Sequence, residues 1–414
     1  MKAIRMGLAV GSVLLLVTAC DGGGHAGGGG GSHAAGAGSS DRAAAPGSPP
    51  ASPSAPAAPP SPKTSAAVLD VEPKDGAQGV APDALKIAVA NGKLTQVAVT
   101  DKDGKAVAGT MAADGTNWVP AAGLSVSSQY RVSARAVDAQ GVVAGADSTF
   151  TTLTPARTSR SGDNIDTGRT YGVGMIIKVD FQRAVTNKAA VANGITVEAS
   201  DGTQVKGHWF DDDNWLELRP ENFWKPGTTV KVHVRLSNVE VAPGVYGGRD
   251  RDEQFTIGRS QISTVDAAAH TMDVQRDGQE LRRIPITAGS DDHASWNGTM
   301  VISAKEGTVE MNSATVPGLK AGDYDLVVPH SMRLTDSGTY VHGNYWSAGA
   351  YGHSNNSHGC VGLEDVKGGS DTSVAGTFYA DSLVGDVVKV VNSKGGQVAP
   401  DNGLSGWNMP WSTW

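Results

Sequence analysis

The chain is expected to be mainly β, with two blocks the size of β-sandwiches, a β-rich third block and a short tryptophan-rich tail. Three observations predict this. Apolar residues alternate with polar ones along several short runs, turn-forming residues separate those runs, and no long stretch of the first two blocks repeats apolar residues with a helical period. The 414 residues suit roughly two to four domains of about 100–200 residues each.

Lys2 and Arg5 precede an apolar run from Met6 to Val17. A membrane-spanning helix takes about 20 apolar residues, so this shorter run fits the core of an export signal. It ends in Val17-Thr18-Ala19-Cys20, which resembles a bacterial lipobox. Residues 1–19 are therefore expected to be a lipoprotein signal and Cys20 the lipidated first residue of the mature chain. The competing reading is a plain secretory signal with an incidental cysteine. Residues 20–66 are almost wholly Gly, Ala, Ser, Pro and His. They offer too little apolar surface to offset the entropy of ordering, so a disordered tether is expected. Such a tether spans roughly 35–40 Å root-mean-square. His25 and His33 read as spacer rather than as metal ligands.

Residues 67–153 form the first expected sandwich. Tyr130, Val132, Ala134 and Ala136 alternate with Arg131, Ser133 and Arg135, and Asp101-Lys102-Asp103-Gly104 reads as a turn between strands. Residues 154–259 form the second, with Val230, Val232 and Val234 alternating with Lys231, His233 and Arg235. Trp209 and Trp215 read as core aromatics. The intervening Asp211-Asp212-Asp213-Asn214 lacks the glycine and distal glutamate of a helix-loop-helix calcium site and reads as a solvated turn. Residues 260–391 combine β-like runs at 261–275, 281–287, 299–304 and 386–391 with long Gly-, Ser- and Asn-rich loops, a usual place for chemistry. Residues 392–414 form the tail with Trp407, Trp411 and Trp414.

Two cysteines exclude a disulfide scaffold and a four-cysteine zinc site. A net charge of -8 argues against nucleic acid as a partner. If Cys20 is lipidated, Cys360 is an unpaired exported thiol, which calls for a functional explanation. His342, His353, His358 and Cys360 lie close together in sequence. A nucleophilic cysteine needs a base or positive neighbour to form its thiolate, and nearby backbone N–H groups to receive an oxyanion. The same four residues are chemically suitable for zinc, although their Gly-rich spacing fits no usual zinc pattern. A buried structural thiol and a papain-like peptidase are the other readings; Ser-His-Gly-Cys is a poor core sequence, and papain-like enzymes place the cysteine before the histidine.

Ser357-His358-Gly359-Cys360, preceded by Tyr340-Val341-His342, resembles the signature of the L,D-transpeptidases, which carry a YkuD-type catalytic domain. Gly298-Thr299-Met300, Thr308-Val309-Glu310-Met311 and the tail Gly403 to Trp411 resemble the actinobacterial, mycobacterial-type branch, in which two immunoglobulin-like domains precede catalysis. The resemblance implies Cys360 as nucleophile, His342 as general base, and His358 with the Gly359 and Cys360 amides on the oxyanion side. It implies that the Gly343 carbonyl orients the His342 ring, although serine is more usual at that position. It implies Tyr324 and Thr335 as substrate-facing residues. Gly362 stands where many members have a substrate-binding asparagine, a contact that Asn355 or Asn356 could replace.

The implied reaction is cofactor-free acyl transfer between peptidoglycan stem peptides at an extracytoplasmic, lipid-anchored enzyme. D-Ala leaves the donor tetrapeptide, and the product links the third residues of two stems. Acylation of Cys360 by carbapenem β-lactams is implied as well. Hydrolysis of the same thioester, giving an L,D-carboxypeptidase, and a non-catalytic wall-binding lipoprotein are the alternatives.

Overall fold

The computed structural model describes residues 63–210, 214–315, 321–322 and 324–414. The expectations for the signal, Cys20, nearly all of the tether, and Asp211 to Asp213 lie outside the described residues.

In the first block a four-stranded sheet contains Val68–Glu72, Lys86–Ala90, Asn117–Pro120 and Gly109–Met111, and a three-stranded sheet contains Lys93–Asp101, Gln129–Val137 and Val143–Thr151. The alternation at residues 130–136 sets which face is inward: Tyr130, Val132, Ala134 and Ala136 are all buried, against Phe150, Val99 and Ile87. The expected turn is present, with the Asp101 amide donating to Lys105 O and the Gly104 amide to Asp101 O.

The second block has two four-stranded sheets and a small three-stranded one of Glu240–Ala242, Val245–Gly247 and Arg157–Ser159. Val230, Val232 and Val234 point into its core with Phe255 and Trp224, whose Nε1 donates to Met175 O at 2.7 Å. A six-residue helix, Lys188–Asn193, was too short to leave a periodic signal. Trp209 is half-buried and packs against the core as expected, whereas Trp215 is half-buried away from it. Trp209 rests on Phe181, and Trp215 carries the Lys178 ammonium over its ring at 3.9 Å. The cause is strand phase. In Trp215–Pro220, Leu216 and Leu218 face the sandwich interior, so Trp215, Glu217 and Arg219 share the opposite face.

That opposite face is covered by the chain's own tail. Trp414 Nε1 donates to Lys206 O at 2.8 Å and Trp407 Nε1 to Gly174 O at 2.8 Å. The Arg219 guanidinium lies over Trp407, Trp411 and Trp414, with its centre 4.2 Å from the Trp414 ring. The tail tryptophans are thus anchors that fasten the third block to the second.

The third block is built on a nine-stranded sheet ordered Gly298–Val301, Val387–Val391, Gln261–Asp266, Thr271–Arg276, Gln279–Thr287, Val361–Glu364, Tyr340–Asn344, Asp325–Arg333 and Ala304–Asn312. The expected run at 261–275 is two strands, because residues 267–270 turn back and His270 takes a φ of 57°. Helix Val374–Asp381 packs Phe378 into the core, and Ser373 Oγ caps it by accepting from the Gly376 amide at 2.9 Å. Tyr340–Asn344 and Val361–Glu364 lie side by side in parallel, Val341 opposite Val361 and His342 opposite Gly362. Buried parallel strands read as apolar runs. Val341, Val361 and Leu363 are fully buried, so the polar residues interrupting them are the conspicuous ones.

Candidate active site

Each of the two parallel strands brings one reactive group. His342 sits in the middle of Tyr340–Asn344, and Cys360 immediately precedes Val361–Glu364. Both open on one groove of about 360 Å³, bordered also by Tyr324, Trp346, Ser357 and His358. Met311, Leu326 and Val328 supply an apolar wall that motif reasoning did not assign residue by residue.

His342 is buried, and its Nδ1 lies 3.0 Å from Gly343 O. A carbonyl only accepts, so Nδ1 carries the proton and Nε2 is left with a lone pair. Burial lowers the His342 pKa below its usual 6.5, with the Gly343 carbonyl partly opposing. The ring is therefore neutral at pH 7 and able to act as a base. Trp346 lies parallel to it, ring centres 5.6 Å apart. The turn that presents Trp346 is formed by Asn344 Oδ1, which accepts from the Trp346 and Ser347 amides.

The half-buried Cys360 thiol faces Gly338 O at 3.6 Å. Burial pushes it up to about 11, with the Tyr340 backbone partly opposing. The resting site is thus a neutral thiol and a neutral imidazole. Gly359 has a φ of +109°, a conformation that side-chain-bearing residues rarely adopt, and this bend lets Ser357 Oγ donate to Cys360 O at 2.6 Å.

Several expected positions meet in the groove and others do not. Tyr324 borders it, its ring centre 5.0 Å from that of His358. The Gly343 carbonyl orients His342, and the residue is glycine here for a local reason: a Cβ would stand 2.1 Å from Asp365 Oδ2. Asn356 reaches the groove, whereas Asn355 is tied behind the loop, donating to Ala267 O and accepting from the Ala288 amide. His353 borders a separate polar cavity with His270 and Lys394, so the ligands of the zinc reading are divided between two cavities.

Three expectations need correction. Thr335 is fully buried, and its Oγ1 accepts from the Thr339 amide at 2.9 Å; it shapes the turn that presents Gly338 O to the thiol and does not face substrate. Gly362 is buried in its strand outside the groove, and a Cβ there would meet Asn344 Nδ2 at 2.8 Å, leaving no room for an asparagine. The Gly359 amide, expected among the oxyanion donors, already donates to Ser357 Oγ at 3.2 Å.

Two further histidines have defined neighbours. The His293 ring stacks on His358, centres 4.7 Å apart. His330, at a φ of 52°, pairs through Nδ1 with Asp365 Oδ2 at 2.7 Å. Asp365 thereby holds a charge directly behind Gly343. Burial would raise its pKa, but the His330 bond and the Val366 and Ser370 amides bring it below the usual carboxylate value. Long-range pairing of this kind leaves no local sequence signal.

The family model described as the L,D-transpeptidase catalytic domain matches residues 260–390, and one described as a bacterial Ig domain matches residues 77–240. L,D-transpeptidase 2 of Mycobacterium tuberculosis is 31% identical over 356 residues, covering 85% of this chain and 84% of the relative. L,D-transpeptidase 5 of the same species is 29% identical over 353 residues, covering 84% and 76%. Among solved structures, an L,D-transpeptidase in complex with imipenem has 30% identity and a TM-score of 0.46, over 56% of this chain and 97% of that one.

Proposed function

The chain belongs to the L,D-transpeptidase family, whose general task is peptidoglycan cross-linking, and on that premise we propose that it joins stem peptides through a thioester on Cys360. The observation that carries this reading is the opening of His342 and Cys360 on one groove from paired parallel strands, with Nδ1 held by Gly343 O so that Nε2 is the available base.

As Cys360 Sγ attacks the donor carbonyl that precedes the terminal D-Ala, its proton passes to His342 Nε2. The oxyanion is received by the Cys360 amide beside the His358 ring. The C–N bond then breaks, His342 returns the proton to the departing D-Ala amine, and an acyl thioester remains. The side-chain amine of meso-diaminopimelate on an acceptor stem attacks next. His342 removes its proton, the C–S bond breaks, the proton returns to Cys360 Sγ, and the new amide links the third residues of the two stems. Base catalysis of this kind is worth about 10²–10⁴-fold. Because both groups are neutral at rest, the proton moves during attack rather than from a preformed ion pair. A carbapenem offers the same thiol a strained amide carbonyl and would acylate Cys360.

The export signal, lipidation at Cys20, and a place on the outer membrane face towards the wall belong to the same proposal. They rest on Met6 to Cys20 and on the tether composition. Two acyl chains make stable anchoring where one is marginal. The test of transfer is incubation with a purified disaccharide-tetrapeptide: cross-linked dimers support it, and tripeptide alone shows hydrolysis.

A further inference from the structure

We propose that the second sandwich block carries a pocket for an oxyanion of the wall polymer, a phosphodiester or a carboxylate, held by Arg160, Arg249 and Arg251. The parallel pairing of Val245–Gly247 with Arg157–Ser159 puts Arg157 opposite Val245 and Ser159 opposite Gly247, so the chain leaving each strand, residues 160–161 and 248–251, emerges side by side. The Gly248 amide donates to Ser159 O at 2.9 Å and continues the pairing. Gly247 is obligatory there, since a Cβ would stand 2.1 Å from Leu236 O. Between the segments lies a cavity of about 630 Å³ lined by Thr158, Arg160, Ser161, Gly248, Arg249 and Arg251. That volume falls within the range of ligand pockets, about 300–1,000 Å³.

The pocket has a fixed floor and unpaired walls. Arg251 is held by Asp163, Nε to Oδ2 at 2.7 Å, and donates to Ser161 Oγ at 2.9 Å, with only 10% of its side chain exposed. Asp163 balances that charge. The neighbouring Asp250 is occupied by the Ser237 amide. Arg160 and Arg249 are exposed and, among the described residues, have no carboxylate partner; nor does Arg157 on the adjoining strand. Elsewhere three exposed arginines do, Arg169 with Asp166, Arg235 with Asp252 and Arg283 with Asp273, whereas Arg131 in the first block, like them exposed, stands alone rather than in a group. In a chain of net charge -8, uncompensated guanidinium groups gather at this cavity. Guanidinium forks suit bidentate contact with phosphate and carboxylate oxygens. A concave site receives a group that protrudes from a polymer, whereas a lipid surface is flat and, being anionic, is disfavoured by the net charge. The proposal takes the wall setting from the functional reading, but its chemistry is independent of Cys360.

The test is co-sedimentation of the full mature chain with purified sacculi, wild type against Arg160→Ala/Arg249→Ala. The double variant is expected to bind about tenfold more weakly, the loss of charge-assisted contacts, and wild-type binding should fall as salt is raised. Both substituted side chains are exposed, so the unfolding midpoint and acylation by meropenem should match wild type; this separates failure of the pocket from failure of the catalytic reading. Removing phosphodiester-linked polymers with hydrofluoric acid abolishes binding if phosphate is the ligand, and amidating the stem carboxylates abolishes it if carboxylate is. Equal binding by variant and wild type would overturn the proposal. So would indifference to both treatments, or a loss seen only with phosphatidylglycerol vesicles.

Discussion

Replacing Glu217 with glutamine is predicted to stabilise the chain at neutral and alkaline pH and to leave it unchanged in acid. Glu217 is fully buried where the second block meets the tail, and neither carboxyl oxygen has a hydrogen-bond partner among the described residues. Burial pushes its pKa from 4.5 to about 8, the Lys178 ammonium opposing and Asp336, Asp180 and Asp401 adding to the rise. His208 and Lys178 flank it on the two paired strands, and Arg219 shares its face. The folded chain keeps a proton that the unfolded chain releases above about 4.5, so this group's favourable contribution is complete below that pH and is lost as pH rises to about 8. One pKa unit is about 1.4 kcal/mol, so the shift from 4.5 to about 8 corresponds to about 5 kcal/mol in full, of which about 3 is lost by pH 7. Glutamine has no proton to lose. Urea unfolding followed by the fluorescence of the tail tryptophans, run from pH 5 to pH 9, should show the variant's advantage growing by about 1.4 kcal/mol per pH unit and levelling near pH 8. Parallel wild-type and variant curves over that range would refute the reasoning, since they would mean that the carboxyl ionises freely in the folded chain.

Other perturbations act nearer the thiol. Gly343→Ser forces a Cβ to within 2.1 Å of Asp365 Oδ2; a displacement of the base by about 1 Å is worth up to about 10²-fold in the acylation rate. Adding Asp365→Ala should restore part of it, as stopped-flow acylation would show. Because burial holds Cys360 near about 11, iodoacetamide labelling should still be accelerating at pH 10; a plateau at pH 7 would instead indicate a resting thiolate. Meropenem acylation should lose rate only where His342 takes up a proton, below pH 6.5, since burial lowers that pKa. Trp414→Ala removes a buried ring, its bond to Lys206 O and its contact with Arg219, and should cost about 3–5 kcal/mol in unfolding stability.

What could be read from the sequence was what local pattern encodes. Alternation at residues 130–136 and 230–234 placed the sandwich cores, and the short motif around Cys360 located the thiol that borders the groove. Tyr324 was reached by resemblance alone. The errors have more than one origin: local hydrogen bonds take up Thr335 Oγ1 and the Gly359 amide, and strand phase turns Trp215 away from the core. Trp215 looked like a core residue because a large aromatic was read without the strand phase, in which Leu216 and Leu218 take the inward face. Thr335 looked like a substrate contact because its partner, the Thr339 amide, belongs to a turn whose purpose appears only when Gly338 O meets the thiol. The Asp365–His330 pair explains Gly343, yet joins residues that show no mutual pattern.

The central claim is that Cys360 carries the acyl group after His342 has taken its proton. Rapid quenching of the chain with a tetrapeptide donor, followed by peptide mass spectrometry, measures this directly. A mass increase equal to the donor less D-Ala is predicted on the peptide containing Cys360, strongly reduced in His342→Ala and absent in Cys360→Ala. An acyl group found on another residue, or formed undiminished in Cys360→Ala, would contradict it.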